Sequence, residues 1–193
     1  VVSYHASDPV LSDAMTAAPR THAKTEAGVI ACLVAGLRVG LNCVVDRRNY
    51  SQLPDHARAV VQRFGPAMRR FGDLSVAYSH ANAAFDGDAF RANQAPLDEL
   101  RAPLTEALQL LNGAGVFATA AGNCGFPLCV LRDAARWIPR PAAPLAGLGR
   151  VASPVCTGCA LAGHCVGPRR TYLDAFGERG LVAYTAVPDG LGA

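Results

Sequence analysis

The first 120 residues alternate between strand-like and helix-like segments joined by short connections. Segments rich in β-branched and apolar residues predict four strands, over 1–5, 38–45, 73–81 and 115–122. Between them, apolar residues recur three or four positions apart, which predicts helices over 21–37, 51–65 and 96–115, with a polar loop over 6–20. Such alternation favours parallel strands with right-handed crossovers, so we predict an α/β fold, either an open sheet or part of a barrel.

Three residues indicate where these helices begin, bend or end. Ser51 is available as the N-cap of the second helix, and Gly36 lies near the end of the first. Pro103 lies inside the third helical pattern, so we expect a kink or a split there.

Polar side chains collect at the carboxyl ends of the predicted strands, where α/β proteins bind their ligands. They are Ser3, His5, Asn42, Asp46, Tyr78, His80, Asn123 and Cys124. Ordinary loop polarity would explain any one of them. Their concentration at one edge predicts a binding site there.

The composition excludes several classes of protein. With 51% hydrophobic and 17% charged residues, the chain can build a packed core and is not intrinsically disordered. A net charge of +3 argues for neither nucleic acid nor a membrane surface as a partner. The longest apolar run, 28–37, is too short to span a bilayer, and no signal peptide is visible, so we expect a cytoplasmic protein.

Three cysteines fall within ten residues of one another, in the pattern Cys156-x2-Cys159-x5-Cys165. Thiolates spaced in this way can converge on zinc or on an iron–sulfur cluster, both of which take four ligands. Cys129 is the favoured fourth ligand, and Cys124 and His164 are the alternatives. The odd total of seven cysteines disfavours a disulfide framework.

The other two cysteines, Cys32 and Cys43, lie within an apolar helix face and within a strand, so we expect them in the core. The segment 139–154, rich in Pro, Gly and Ala, is expected to be a linker or an irregular wrap. A short helix is predicted within "RRTYLDAFGERG", residues 169–180.

Three stretches of the chain carry a resemblance to a known family. "VVSYHASDP" is similar to a fourth barrel strand, and "AGLRVGLNCVVDRRNYSQLPD" to the next helix end and strand, with Asn42 and Asn49 at the family's asparagine positions. "GFPLCVL" and "CTGCALAGHCVGPRRTYLDAFG" are similar to a cluster-binding extension that closes on residues such as Tyr172 and Gly177. Together they resemble the C-terminal part of a radical S-adenosylmethionine (radical SAM) enzyme with an auxiliary-cluster extension of the SPASM/twitch kind.

The resemblance implies two parts. Residues 1–122 would be the C-terminal half of a partial (β/α)6 TIM-like barrel, and residues 123–193 a small Cys-rich extension that binds an auxiliary [4Fe–4S] cluster through Cys129, Cys156, Cys159 and Cys165. The family's Cys-x3-Cys-x2-Cys loop, which binds a second [4Fe–4S] cluster and S-adenosylmethionine, does not occur in these 193 residues. We therefore expect a fragment of a longer protein that is inactive alone and needs an N-terminal half or a reductant protein as partner.

The family's chemistry implies roles for the strand-end residues. Ser3, Asn42 and Tyr78 would contact S-adenosylmethionine, and His5, Asp46 and His80 would be candidates for catalytic contact with substrate. A 5′-deoxyadenosyl radical would abstract a hydrogen atom from a ribosomal peptide or another natural-product precursor, either a peptide or a small molecule. The fully thiolate-ligated auxiliary cluster would transfer electrons or support the substrate face.

Two other functions remain open at this point. One is a non-catalytic binding module stabilised by zinc or a cluster and derived from the same fold. The other is a zinc-ribbon nucleic-acid protein using the arginine pairs 47–48, 69–70 and 169–170, whose dispersal along the chain disfavours it.

Overall fold

The computed structural model describes residues 1–80, 87–121, 124–131 and 149–187. Four parallel strands form one sheet in the order β1–β2–β3–β4, namely β1 (Val2–Ser3), β2 (Arg38–Val45), β3 (Asp73–His80) and β4 (Phe117–Thr119). The predicted α/β class and parallel pairing are confirmed. All four predicted strands are present, and β2 begins and ends where its pattern indicated.

Six α-helices accompany the sheet within the described residues. They are α1 (Pro9–Thr16), α2 (His22–Val34), α3 (Leu53–Phe71), α4 (Gly87–Asn93), α5 (Leu97–Gly113) and α6 (Arg170–Phe176). Short 3-10 turns cover Tyr50–Gln52, Leu128–Val130 and Pro154–Cys156. The helices predicted between the strands and near residue 170 are therefore present, whereas α1 and α4 were not predicted.

The two faces of the sheet differ in character. One face is buried, with Leu41, Cys43, Val76, Tyr78 and Ala118 in the hydrophobic core together with the apolar sides of α2, α3 and α5. The other face carries Ser3, Asn42, Ala77 and Thr119 side by side, and these residues are exposed or half-exposed. Because side chains alternate along a strand, every second residue of β2 and β3 contributes to this open face.

The segment expected to be a polar loop contains α1. Asp8 caps this helix by accepting a hydrogen bond from the Leu11 amide at 2.7 Å, and Pro9 occupies the first helical position. Only Ser12 of this helix is buried. Periodicity gave no signal because α1 has almost no apolar face, but Asp followed by Pro is itself a helix-start signal.

The cap expected at Ser51 and the split considered at Pro103 are both absent from the helices concerned. Ser51 does not cap α3, because it lies inside the 3-10 turn Tyr50–Gln52 and the cap residue is Gln52. Pro103 does not split α5, which runs continuously from Leu97 to Gly113. The buried leucines on one side of α5, at 97, 100, 104, 108 and 111, hold the helix in place despite the missing amide donor. Gly36, with φ +75°, follows the end of α2 as expected.

The C-terminal residues share the core of the sheet and its helices. Phe126, Leu128, Leu161 and Tyr172 belong to the same buried cluster as the residues of β2 and β3. The Tyr172 hydroxyl accepts a hydrogen bond from the Leu97 amide at 2.9 Å and donates to the Arg179 carbonyl at 2.6 Å. The predicted boundary between residues 122 and 123 lies outside the described residues.

Gly180 packs directly against the start of α5. It has φ +79°, and its carbonyl accepts a hydrogen bond from Arg101 at 2.7 Å. A Cβ atom at this position would overlap the Asp98 amide nitrogen and lie 2.9 Å from Leu97. Within the described parts of the chain, no helix is both long enough and apolar enough to cross a bilayer.

Candidate metal centre

Four cysteines line one cavity of about 340 Å³ near the C-terminal part of the chain. Cys129 lies in the 3-10 turn Leu128–Val130, Cys156 ends the turn Pro154–Cys156, and Cys159 and Cys165 follow in successive turns. All four are partly buried free thiols. These are the four predicted metal ligands, and the structure brings them to the same cavity.

Backbone amides point at two of these sulfur atoms. Cys165 Sγ accepts hydrogen bonds from the amides of Leu128 at 3.3 Å and Gly167 at 3.4 Å, and Cys159 Sγ accepts one from Tyr184 at 3.4 Å. Hydrogen bonds to a sulfur favour its thiolate over its thiol, because the amide dipole stabilises the negative charge. In metal–thiolate centres such bonds also tune the reduction potential.

Burial has the opposite effect on the thiols. Burial raises the pKa of Cys129 to about 11, and the neighbouring sulfurs of Cys165 and Cys156 add to this rise. The pKa of Cys165 is raised for the same reason, although the Leu128 and Gly167 amides oppose the increase. Without a metal these two thiols are therefore protonated at neutral pH, and metal binding must release their protons.

The cavity wall is mostly apolar but contains one cation. Val151, Val155 and Leu161 are among the apolar residues that line it. Arg150 also lines it, and its guanidinium donates to the carbonyls of Gly167 at 2.9 Å and Gly125 at 2.6 Å. Burial, followed by the nearby Arg169, lowers the pKa of Arg150 to about 10, whereas the sulfurs of Cys165 and Cys124 raise it.

Glu178 supports the turn that carries Cys156. Its carboxylate accepts hydrogen bonds from the Ser153 hydroxyl and from the Val155 amide, the latter at 2.9 Å. These two donors, the hydroxyl above all, hold the pKa of Glu178 below its ordinary value. The residue therefore orients a cysteine-bearing turn without lining the cavity itself.

The alternative ligands occupy other positions. Neither Cys124, which is exposed, nor His164 lines the cysteine cavity. Cys43 is fully buried in the core, as expected, and Cys32 is partly buried against it. Among the described residues, no three His, Cys, Asp or Glu side chains converge on the position of a single metal ion.

The structure separates the three residues expected to contact S-adenosylmethionine. Ser3 and Asn42 are register partners on the open face of the sheet, and Asn42 Oδ1 accepts a hydrogen bond from the Ser79 hydroxyl at 2.6 Å. Tyr78 points to the opposite, buried face, where its hydroxyl lies 3.1 Å from His56 Nδ1. Tyr78 is thus a core residue, because adjacent strand positions face opposite sides.

His5 and Asp46 lie at the ends of neighbouring strands, and both are buried. His5 Nδ1 accepts a hydrogen bond from the Val44 amide at 3.1 Å, so the neutral ring carries its proton on Nε2. Burial lowers the pKa of His5, and the nearby Asp46 carboxylate opposes this effect. Asp46 accepts two hydrogen bonds from the Arg48 guanidinium, at 2.5 and 3.0 Å.

His80, the third catalytic candidate, is enclosed by aromatic rings. Its ring centroid lies 5.0 Å from that of Phe126, 5.6 Å from that of Phe90 and 6.2 Å from that of Tyr172. Its backbone amide donates to the Cys124 carbonyl at 2.7 Å. Asn123, also named among the strand-end residues, lies outside the described residues.

Sequence reasoning missed the roles of three residues. Asn49 is buried, and its side-chain amide donates to the carbonyls of His5 and Val44, both at 2.9 Å, and accepts from the Asp46 amide at 2.8 Å. Arg150 and Glu178 hold the backbone next to the cysteines. Their only sequence signal was proximity to the cysteine run, because the hydrogen bonds that these side chains make depend on tertiary packing.

A scan against protein-family models finds no match for this chain, and searches of curated proteins and of solved structures find none either.

Proposed function

We propose that this chain is the C-terminal part of a radical S-adenosylmethionine enzyme, and that Cys129, Cys156, Cys159 and Cys165 hold an auxiliary [4Fe–4S] cluster. The observation that carries the proposal is the single cavity of about 340 Å³ that these four cysteines line. Four thiolates are the usual ligand set of such a cluster. The amide hydrogen bonds to Cys159 and Cys165 also suit thiolate ligands of a cluster.

The size of the cavity favours a cluster over zinc. In a tetrahedral zinc site with Zn–S distances of about 2.3 Å, the sulfurs are about 3.8 Å apart and leave no space between them. In the described residues no such close convergence occurs, whereas a cavity of about 340 Å³ has the size of a small ligand site. The donor set and the cavity that it lines thus fit a group of several atoms.

The sheet supports the barrel part of the proposal. Strand order β1–β2–β3–β4 with helices between successive strands is the winding found in the wall of a (β/α) barrel. In a barrel the open face with Ser3 and Asn42 would line the interior, next to the strand ends where barrel enzymes bind ligands. We propose that Asn42, positioned by Ser79, and Ser3 contact S-adenosylmethionine there. Tyr78 is buried on the opposite face and has no part in this contact.

When bound in the complete enzyme, S-adenosylmethionine and its cluster supply the radical that abstracts hydrogen from substrate. The residues of this chain would position the cofactors and protect them from water. Apolar side chains around the cysteine cavity exclude solvent, and Arg150 places a positive charge beside thiolates. With all four thiolates bound, the auxiliary cluster would serve electron transfer or support the substrate face, and the substrate would be a peptide or another natural-product precursor.

Metal analysis of anaerobically purified protein tests this proposal. We expect about four irons and four sulfides per chain with visible absorption near 400 nm. Replacing Cys156 or Cys159 by alanine should abolish iron binding. The matched control, Cys32→Ala, removes a thiol outside the cavity and should leave the iron content unchanged.

Three results would contradict the proposal. One zinc and no iron per chain would favour the non-catalytic binding module. Equal iron loss in Cys32→Ala and Cys156→Ala would show that the ligands are assigned wrongly. Absence of the Cys-x3-Cys-x2-Cys loop from the remainder of the reading frame would exclude radical chemistry for the protein even with a cluster in place.

A further inference from the structure

Arg169 is a buried cation without a partner in the described chain. Only 6% of its surface is accessible, and its Nε atom is sealed from solvent without a hydrogen bond. Its guanidinium forms no ion pair with any described carboxylate. A buried guanidinium without an anion is costly, so native proteins pair such groups or use them to bind a ligand.

The surroundings of Arg169 are positive and rigid. Arg150 and Arg169 are backbone partners in an antiparallel bridge, and the Val151 amide donates to the Pro168 carbonyl at 3.0 Å. The guanidinium of Arg150 donates to the carbonyls of Gly125 and Gly167, and these bonds fix its position. The guanidinium of Arg169 is thus held beside a second cation, and burial lowers its pKa while the nearby Cys124 sulfur opposes this effect.

This pair of arginines lies between the cysteine cavity and the carboxyl edge of the sheet. Arg150 lines the cavity on one side. On the other side, it holds Gly125 next to Cys124, whose carbonyl is bonded to the amide of His80 at the end of β3. Cys124 is exposed, so this region is open to solvent. A substrate at the strand ends would therefore lie close to Cys124 and to the neighbouring Arg169.

We propose that Arg169 binds a carboxylate group of the substrate at the junction of the strand ends and the cysteine cavity. A guanidinium presents parallel N–H donors that match the two oxygens of a carboxylate. A carboxylate fits because Arg150 already donates to two carbonyls and Arg169 supplies one planar fork, whereas the oxygens of a phosphate would need further donors. Assigning the carboxylate to the substrate depends on the proposed function; the anion site itself does not.

Thermal unfolding of the full chain with small probe anions measures this site. Benzoate at constant ionic strength is expected to raise the unfolding temperature to a saturating value, because it binds the folded state alone. Benzamide, which has the same ring but no charge, should bind at least about tenfold more weakly, as expected for loss of a charged hydrogen-bond pair. Inorganic phosphate should also bind more weakly than benzoate.

Substitutions assign the effect to one residue. Arg169→Gln should weaken benzoate binding at least about tenfold, and Arg169→Lys, which keeps the charge but loses the planar fork, should weaken it by a smaller factor. The matched control is Arg170→Gln, since Arg170 is the next residue and is exposed. It should leave benzoate affinity unchanged.

Each contrary outcome overturns the proposal in a recognisable way. Equal effects of benzoate and benzamide, or no effect of benzoate on the unmodified chain, would exclude a carboxylate site even if the variants do not fold. Tighter binding of phosphate would replace the carboxylate by a phosphate. Loss of iron from Arg169→Gln would show that the residue balances the charge of the cluster and does not bind substrate. If the unmodified chain contains no iron but still binds benzoate, the anion site stands and only the proposed function is refuted.

Discussion

Acidification should destabilise this chain through His56, which is buried between α3 and the sheet. His56 Nε2 lies 3.0 Å from the Tyr4 carbonyl, which can only accept, so Nε2 carries the proton. Nδ1 then accepts a hydrogen bond from the Tyr78 hydroxyl at 3.1 Å. Burial lowers the pKa of His56 to about 4 from the ordinary 6.5, with the Tyr4 carbonyl opposing the decrease. The folded protein therefore holds the neutral ring.

The size of the effect follows from proton linkage. Between pH 6.5 and pH 4 the unfolded chain binds a proton at this position that the folded chain does not, so the free energy of unfolding falls as the pH falls. From these two pKa values, His56 alone should remove about 2 kcal/mol between pH 7 and pH 5, and about 3 kcal/mol by pH 4. The stabilisation is fully present only above pH 6.5.

Urea unfolding followed by far-UV circular dichroism at pH 7 and pH 5 measures this contribution. The His56→Gln variant should be less stable than the parent at pH 7, but the difference between them should shrink by about 2 kcal/mol at pH 5. Comparison with the parent cancels the titration of every other group. Gln62→Ala, which changes an exposed side chain of the same helix and removes no ionisable group, should leave the pH dependence unchanged. A parent-to-variant difference that is the same at both pH values would refute the reasoning.

Two further predictions concern residues whose structural roles the sequence did not indicate. Glu178→Ala should free the turn of Cys156 and lower metal affinity by about 10- to 100-fold, as for other residues that orient metal ligands. The rate of iron release to a chelator measures this loss, and Asp174→Ala, a change at an exposed residue, is the control. Asn49→Ala should lower the free energy of unfolding by about 3 kcal/mol, because it leaves buried backbone groups unpaired. Exposed Gln52→Ala should change stability by less than about 0.5 kcal/mol, and an equal loss in both variants would contradict the role given to Asn49.

The alternation of strands and helices was predictable because burial imposes its period on the residues. The pattern of β2, with every second residue buried, and the leucines of α5 are direct results of packing against one core. Cys156, Cys159 and Cys165 could also be named, since short spacings between thiols constrain how they face one another, whereas Cys129 was the favoured one of several candidates for the fourth ligand. Helix α1 was missed because its stability comes from a cap and not from an apolar face.

The roles of individual strand residues were less predictable. Tyr78 and Asn42 are both compatible with a strand end, and only the register of β2 and β3 shows that they face opposite sides. Similarly, nothing local separates Arg169 from Arg170, yet one is buried and the other exposed. Burial of a polar group depends on contacts between distant segments, which no local pattern records.

Gly180 has no reactive side chain, yet its position is as constrained as that of a metal-binding cysteine. Its positive φ and its contact with the Asp98 amide leave no space for any side chain. Four residues later, the Tyr184 amide bonds the sulfur of Cys159, so displacement of this segment would reach the cysteine cavity. In a mutational scan scored by iron content, position 180 should therefore be as intolerant as the cysteines, and homologous sequences that preserve the cavity should preserve this glycine for steric reasons alone.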